Sequence, residues 1–357
     1  MKKIAGILIL LTVASLLSCP NPSISPTRAL MVSTLAGTAR LTGATNSDVG
    51  ASQFDGPAGV AVDKDGNVYV ADRNNRMIRK IRPDGTVSTL AGPHIADETD
   101  DDEAATEFDV PAGVAVDSSG NVYVADRKNH QIYKITPEGE VDTLAGTARR
   151  AGDTNSDEGA PQFDSPADVA VDSSGNVYVA DFGNHLIRRI TPSGVVSTYA
   201  GTGSPGDTNG DAIGEAQFDN PQGVAVDKDG NVYVADRDNI RIRKISPQGM
   251  VSSFIGTAWG FRNGDASEAE IRQPAGVTVD SSGNVYVADQ HNHRIRKISP
   301  EQTVSTYAGT GEVGYSDGVA RAAGFFSPSD VAVDSSGNVY VADSGNHLIR
   351  KIEYKVP

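Results

Sequence analysis

The sequence predicts an all-β protein, a six-bladed β-propeller of four-stranded antiparallel blades, and three observations carry that expectation. The hexad Asn-Val-Tyr-Val-Ala-Asp occurs six times, beginning at Asn67, Asn121, Asn176, Asn231, Asn284 and Asn338, at intervals of 53 to 55 residues. A fixed period of this length marks a repeat architecture, in which each unit buries its apolar faces against its neighbours. Each unit holds four short β-rich runs bounded by Gly, Pro, Asp and Asn, the pattern of an antiparallel meander. The last unit lacks a fourth run, and one unmatched run stands near the N-terminus, so pairing the two closes a ring without exposed edges.

Taken in order, the chain opens with Lys2 and Lys3 and an apolar run from Ile4 to Leu17, a secretory signal peptide over residues 1–18 that is too short to span a membrane. Leu16-Leu17-Ser18-Cys19 resembles the bacterial lipobox, which implies that Cys19 becomes the lipidated first residue of the mature protein. Cys19 is the sole cysteine of the 357 residues, so no intramolecular disulfide is possible. Several acyl chains give lasting membrane attachment, at about 0.8 kcal/mol per buried methylene. Residues 19–29, rich in Pro and Ser, read as a tether. The propeller is expected over 30–357, beginning with the unmatched outer run 30–37.

The first full repeat, 57–92, sets the grammar: Pro57 to Asp63, Asn67 to Asp72, Met77 to Ile81 and Val87 to Gly92. The others lie near 111–146, 166–201, 221–256, 274–309 and 328–352. Asp63-Lys-Asp-Gly-Asn67 is a three-residue hairpin loop ending in Gly, suited to a type I turn with a glycine bulge. Val60 and Val62 alternate with Ala61, and Val68 and Val70 with Tyr69 and Ala71. A run apolar on both faces must be covered on both, as stacked blades are.

The unit P-A-G-V-A-V-D-K-D-G-N-V-Y-V-A-D-R-N-N-R-M-I-R-K-I at Pro57 to Ile81 resembles the NHL repeat, as do all six units. The resemblance implies a scaffold whose relatives bind protein or RNA and occasionally catalyse. Loss of Lys2 and Lys3 takes the −15 chain to −17, which argues against a nucleic-acid partner. The arginines of the third run, as in Arg294 to Ile298, read as surface charges near an outer edge.

The connections from each outer strand to the next innermost strand have 17 to 19 residues between the closing Ala-Gly, or Ile-Gly, and the next Pro. They share a face with the turns between second and third strands, and any binding surface is expected there. Residues present in every unit are assigned to the fold. Asp72 and its equivalents, with the Asn three residues on, hold the turn by side-chain hydrogen bonds. His130, His185, His293 and His347 follow that Asn at one repeated position, around a ring too wide for zinc bonds of about 2.0 to 2.1 Å.

Departures from the repeat give the candidate sites. Asp168 and Asp330 replace the Gly of the innermost strand in opposite blades; they are the candidate metal ligands, with calcium as the cofactor considered, and a capped turn or solvated channel mouth is the alternative. The resemblance to calcium-dependent lactonase-like propellers implies a hydrolase as the second functional reading. Asp153 to Asp157 and Asp207 to Asp211 open like calcium loops but lack the Gly and Glu that complete one, and the acidic run Asp97 to Glu103 reads as a solvated loop. Trp259, Phe261 and Arg262 before the fifth repeat and Tyr315 before the sixth are the candidate ligand-binding residues, with packing beneath their own loops as the alternative. No nucleophile elbow, metalloprotease motif or phosphate loop is present. The functional expectation is therefore an exported, lipid-anchored module of the bacterial envelope that binds a protein or glycan through its long-loop face; the alternatives are the hydrolase and a structural part of an envelope assembly.

Overall fold

A computed structural model describes residues 28–47, 52–93, 108–256 and 258–356. The signal peptide, Cys19, most of the tether and the acidic run 97–103 lie outside the described residues. Six antiparallel sheets are formed. In the first, Pro57–Val62, Val68–Asp72, Met77–Ile81 and Val87–Ala91 pair in sequence order from the innermost strand outwards. The ring closes as expected. Ala29–Ala36 pairs antiparallel with Leu348–Lys355, Val32 opposite Ile352. That last strand continues three residues beyond Ile352, because Ala29, Leu30 and Met31 provide partners for Lys355, Tyr354 and Glu353.

Three blades carry a strand that the four-strand expectation omits. Gly210–Asp211, Gly264–Asp265 and Gly318–Val319, each from a long connection, add to the outer edge of their sheets. The hairpin loops follow their sequence: Gly66 lies at φ +81°, and the Asp63 carboxylate accepts the N–H groups of Asp65 and Asn67, the Asn67 amide and the Tyr69 hydroxyl. The repeated Tyr therefore links the second strand to the turn before it.

Both faces of each sheet are buried, and they are complementary. Ala61, Tyr69, Ala71 and Ile78 of the first blade pack on Val114, Val122, Val124 and Ile135 of the second. On the other side, Val60, Val68 and Val70 meet Ala332, Tyr340 and Ala342 of the last blade. Alternation along a strand sends a valine face one way and a tyrosine-alanine face the other.

The third-strand arginines correct the sequence reading. Arg79, Arg188, Arg243, Arg296 and Arg350 are fully buried, at 0% exposure. Arg79 Nη1 donates to Asp72 Oδ2 at 2.9 Å and to the Gln53 carbonyl at 3.1 Å, while Nη2 donates to the Thr45 carbonyl and to Asn46 Oδ1 at 3.0 and 2.7 Å. The ring of buried Phe54 lies 5.1 Å beneath the guanidinium. Asp72 also accepts from the Asp55 N–H and the Asn75 amide, and Asn75 donates onwards to the Gly43 carbonyl. The repeated Asp and Asn thus fasten the long connection as well as the turn. Asn155 and Asn209, in the loops that read as calcium-like, accept from Arg188 and Arg243 in the same way, so these loops bind an internal guanidinium. The second blade has Tyr133 at this position, set edge-on to Phe108.

Removing one partner of a buried, hydrogen-bonded ion pair leaves an uncompensated charge, at a cost of about 3–5 kcal/mol. Arg188→Met is therefore expected to lower the stability by that amount in urea unfolding. Lys80→Met, which loses only a cation held over the Tyr69 ring at 5.2 Å, is expected to cost about 1 kcal/mol or less.

Candidate functional site

The innermost strands line the axis, and at one level they present Gly59, Gly113, Asp168, Gly223, Gly276 and Asp330. A side chain at Gly113 would collide with the Asp168 carboxylate, and one at Gly276 with that of Asp330. Each Asp thus occupies room that the preceding blade leaves by having Gly there. Asp168 accepts the Val169 N–H on Oδ1 and, from the next blade, the Val224 N–H on Oδ2, both at 2.9 Å. Asp330 does the same with Val331 at 2.8 Å and Val60 at 2.7 Å. The two carboxylates are clamps between blades.

They also border both halves of the channel. Towards the hairpin loops lies a cavity of about 160 Å³ with walls of Val and Ala, such as Val62, Val116 and Val171. Towards the long-loop face lies one of about 60 Å³ whose polar lining includes Arg73, Arg127, Gln222, Gln290 and Ser344. Burial, reinforced by the charge of Asp330, raises the proton affinity of Asp168 well above the carboxylate range. Burial pushes Asp330 up to about 7, against the pull of its two backbone donors. Calcium takes 6 to 8 oxygens. Among the described residues no third acidic or histidine side chain joins the pair, and all four carboxylate oxygens already accept an N–H, so the donor set does not make a calcium cage.

The aromatic candidates lie at the rim of the long-loop face in the fifth and sixth blades. Trp259, Phe261 and Tyr315 are 61%, 58% and 48% exposed, so they do not pack beneath their loops. Each carries a guanidinium: Arg272 lies 5.5 Å from the Trp259 ring, Arg294 4.5 Å from Phe261 and Arg40 4.9 Å from Tyr315. Arg262 is not among these stacked cations; it pairs with Glu270 at 3.3 Å, and its carbonyl accepts from buried Arg296. The histidines serve another purpose. Nδ1 of His130, His185, His293 and His347 accepts the N–H of Ser165, Asn220, Ser327 and Gly56, each in the following blade.

The NHL repeat matches residues 54–80, 108–134, 163–190, 218–245, 272–298 and 325–352. The chain is a propeller of six NHL repeats. Most matched units begin at or beside the buried Phe and take in the Asp, Asn and third-strand position of the network described above. The protein named SUPPRESSOR OF QUENCHING 1, chloroplastic, from Arabidopsis thaliana is 31% identical over 264 residues, which is 69% of this chain and 25% of that protein. The chain therefore spans about a quarter of this relative. A Bacteroides thetaiotaomicron protein of unknown function superposes with a TM-score of 0.72 at 23% identity, over 92% of this chain and 77% of that one. An auxiliary nutrient binding protein from the same organism gives 0.69 at 17% identity, over 92% and 77%. At these identities the two structures speak to the fold.

Sequence reading of this NHL propeller missed the cations on the aromatic rings, although a signal existed. The residue two before each strand-opening Pro is Asp55, Asp109, Asp164 and Asp219 in four blades, but Arg272 and Phe326 in the fifth and sixth. The departures gather where the exposed rings are. His293, facing Phe326 edge-on at 5.8 Å, has its proton affinity lowered by burial and by Arg272.

The axial pair gives a pH signature. Its folded carboxyl groups hold protons more tightly than the unfolded chain, so the pair favours folding at low pH and loses that contribution as pH rises through about 7. Asp168→Gly/Asp330→Gly, which installs the residue of the other four blades, is expected to remove this dependence. The gap in melting temperature between wild type and variant should narrow from about pH 4 to about pH 8 by calorimetry; parallel curves would sink the assignment.

Proposed function

We propose that this NHL propeller is an extracytoplasmic binding module of the bacterial envelope, tethered by lipid at Cys19, whose protein or glycan partner docks on the rim around Trp259, Phe261 and Tyr315. The observation that carries this reading is the set of three exposed rings, each stacked by an arginine, on one edge of the long-loop face. Trp, Tyr and Arg dominate binding hot spots, and rings already held by guanidinium groups lose little conformational freedom on docking. Stacking on an open indole face suits a sugar ring as well as a protein side chain. The auxiliary nutrient binding protein of similar fold is consistent with a ligand-capturing role. The hydrolase reading gains no comparable support from the channel, whose walls are Val and Ala on one side of the aspartates.

Trp259 is the only tryptophan, so its fluorescence reports this rim directly. A soluble chain from Ser25 onward is expected to retain partners on a glycan array or in capture from solubilised envelopes, with a change in Trp emission. Trp259→Ala/Phe261→Ala should weaken that retention by about tenfold or more at unchanged melting temperature; equal retention by both proteins would exclude the rim.

Among the described residues no helix is long and apolar enough to cross a membrane, so attachment in this reading depends on the anchor. Cys19→Ser is expected to shift the protein from the membrane fraction to the soluble fraction and to abolish labelling by radioactive palmitate. An unlabelled wild type would refute lipidation.

A further inference from the structure

A second set of departures from the repeat faces the axis rather than the rim, with its cations in the first, second and fourth blades. The residue after the repeated Asp starts the turn between second and third strands, and its six copies follow one another around the ring on the long-loop face, those of the first, second, fifth and sixth blades lining the axial cavity. They are Arg73, Arg127, Phe182, Arg237, Gln290 and Ser344. Three are arginines, in a chain with a net charge of −15.

These arginines differ from the buried third-strand set. Among the described residues no carboxylate lies within ion-pair distance, 4.0 Å, of Arg73, Arg127 or Arg237. Arg127 lies over Phe182, 4.5 Å from the ring centroid. The guanidinium groups sense one another: burial, then the charges of Arg237 and Arg73, lowers the proton affinity of Arg127. Asp55 and Asp164 offset part of this for Arg73 and Arg127, from beyond ion-pair distance.

Arg73 and Arg127 line two spaces at once. One is the axial cavity of about 60 Å³, room for a single charged head group, whose lining also includes Gln222, Gln290 and Ser344. The other is an adjoining groove of about 490 Å³ over the first three blades, within the range of small-molecule sites. Its further cations are Lys128 and Arg149, against the single acid Asp109. Asp109 is itself 3.9 Å from Lys128.

We infer that this mouth is a binding site for a small oxyanion-bearing molecule, its carboxylate or phosphate held between Arg73 and Arg127 and its polar body lying along the groove towards Arg149. Planar guanidinium forks match both oxyanions in a bidentate manner, and Arg127, already held over an aromatic ring, loses little freedom on binding. The site is separate from the aromatic rim, so either assignment stands or falls without the other.

The test is calorimetric titration of the full-length protein at constant ionic strength with glucuronate, glucose 6-phosphate and neutral glucose. Saturable binding of at least one anion, none of glucose, and weakening by about tenfold or more in Arg73→Gln and in Arg127→Gln are expected. Which anion binds distinguishes a carboxylate from a phosphate ligand. Arg82→Gln, on an exposed turn of the other face, should bind as wild type. Arg127→Lys, which keeps the charge but not the fork, covers the case in which Arg127→Gln misfolds, and it should bind between the two. Absence of saturable binding by both anions, equal binding of glucose, or unchanged affinity in the folded Arg73→Gln and Arg127→Gln variants would overturn the site.

Discussion

In five of the six blades a buried arginine is the hub through which the long connection is fixed to the sheet. The apolar faces alone would stack the blades, but they would leave connections of 17 to 19 residues with little to hold them. Nη1 and Nη2 of each such arginine distribute their hydrogens between the repeated Asp, two loop carbonyls and a loop side chain, as at Arg79. A buried guanidinium is tolerable only when most of its hydrogens are bonded, and here both Nη atoms are bonded while Nε has no partner. The loops therefore follow nearly the same path in blade after blade, and side chains such as Trp259 project from a defined backbone.

The second blade shows the dependence from the other side. Where Tyr133 stands in place of the arginine, Asp126 turns to the Asp109 and Val110 N–H groups and to Asn129, and the hydroxyl of Tyr133 bonds Gln131. The network is repacked with neutral partners: fully buried Asp126 is held by N–H donors, with no cation within ion-pair distance among the described residues. Contacts between blades follow a similar economy of shape and hydrogen bonding. Histidine Nδ1 atoms reach the next blade at the rim, and Asp168 and Asp330 reach it at the axis.

Function in such a ring resides in broken symmetry. Six near-identical units supply a rigid frame, and a residue copied six times serves that frame. The axial mouth is basic over the first blades because two successive copies of one turn residue are Arg73 and Arg127. The rim of the fifth and sixth blades is aromatic because Trp259, Phe261 and Tyr315 stand where other loops mostly carry smaller or polar residues. The frame brings residues close in three dimensions that are far apart in the chain, as Arg40 over Tyr315 illustrates.

The sequence by itself determined the repeat, the strand order, the hairpin turns and the closure of the ring, because each is written in local periodicity or in a count of strands. It also marked Asp168, Asp330 and Trp259 as departures, since six internal copies allow comparison within one chain. Tertiary structure decided what those residues touch. The third-strand arginines read as surface charges, since a strand pattern does not reveal that a loop some 34 residues earlier folds over them. The fifth strands of three blades were hidden for a similar reason, as a two-residue segment carries no period of its own. Whether a ring is exposed or buried, and whether a carboxylate meets a cation or a backbone N–H, depends on neighbours contributed by other blades, and pairing across that distance leaves no periodic trace in the chain.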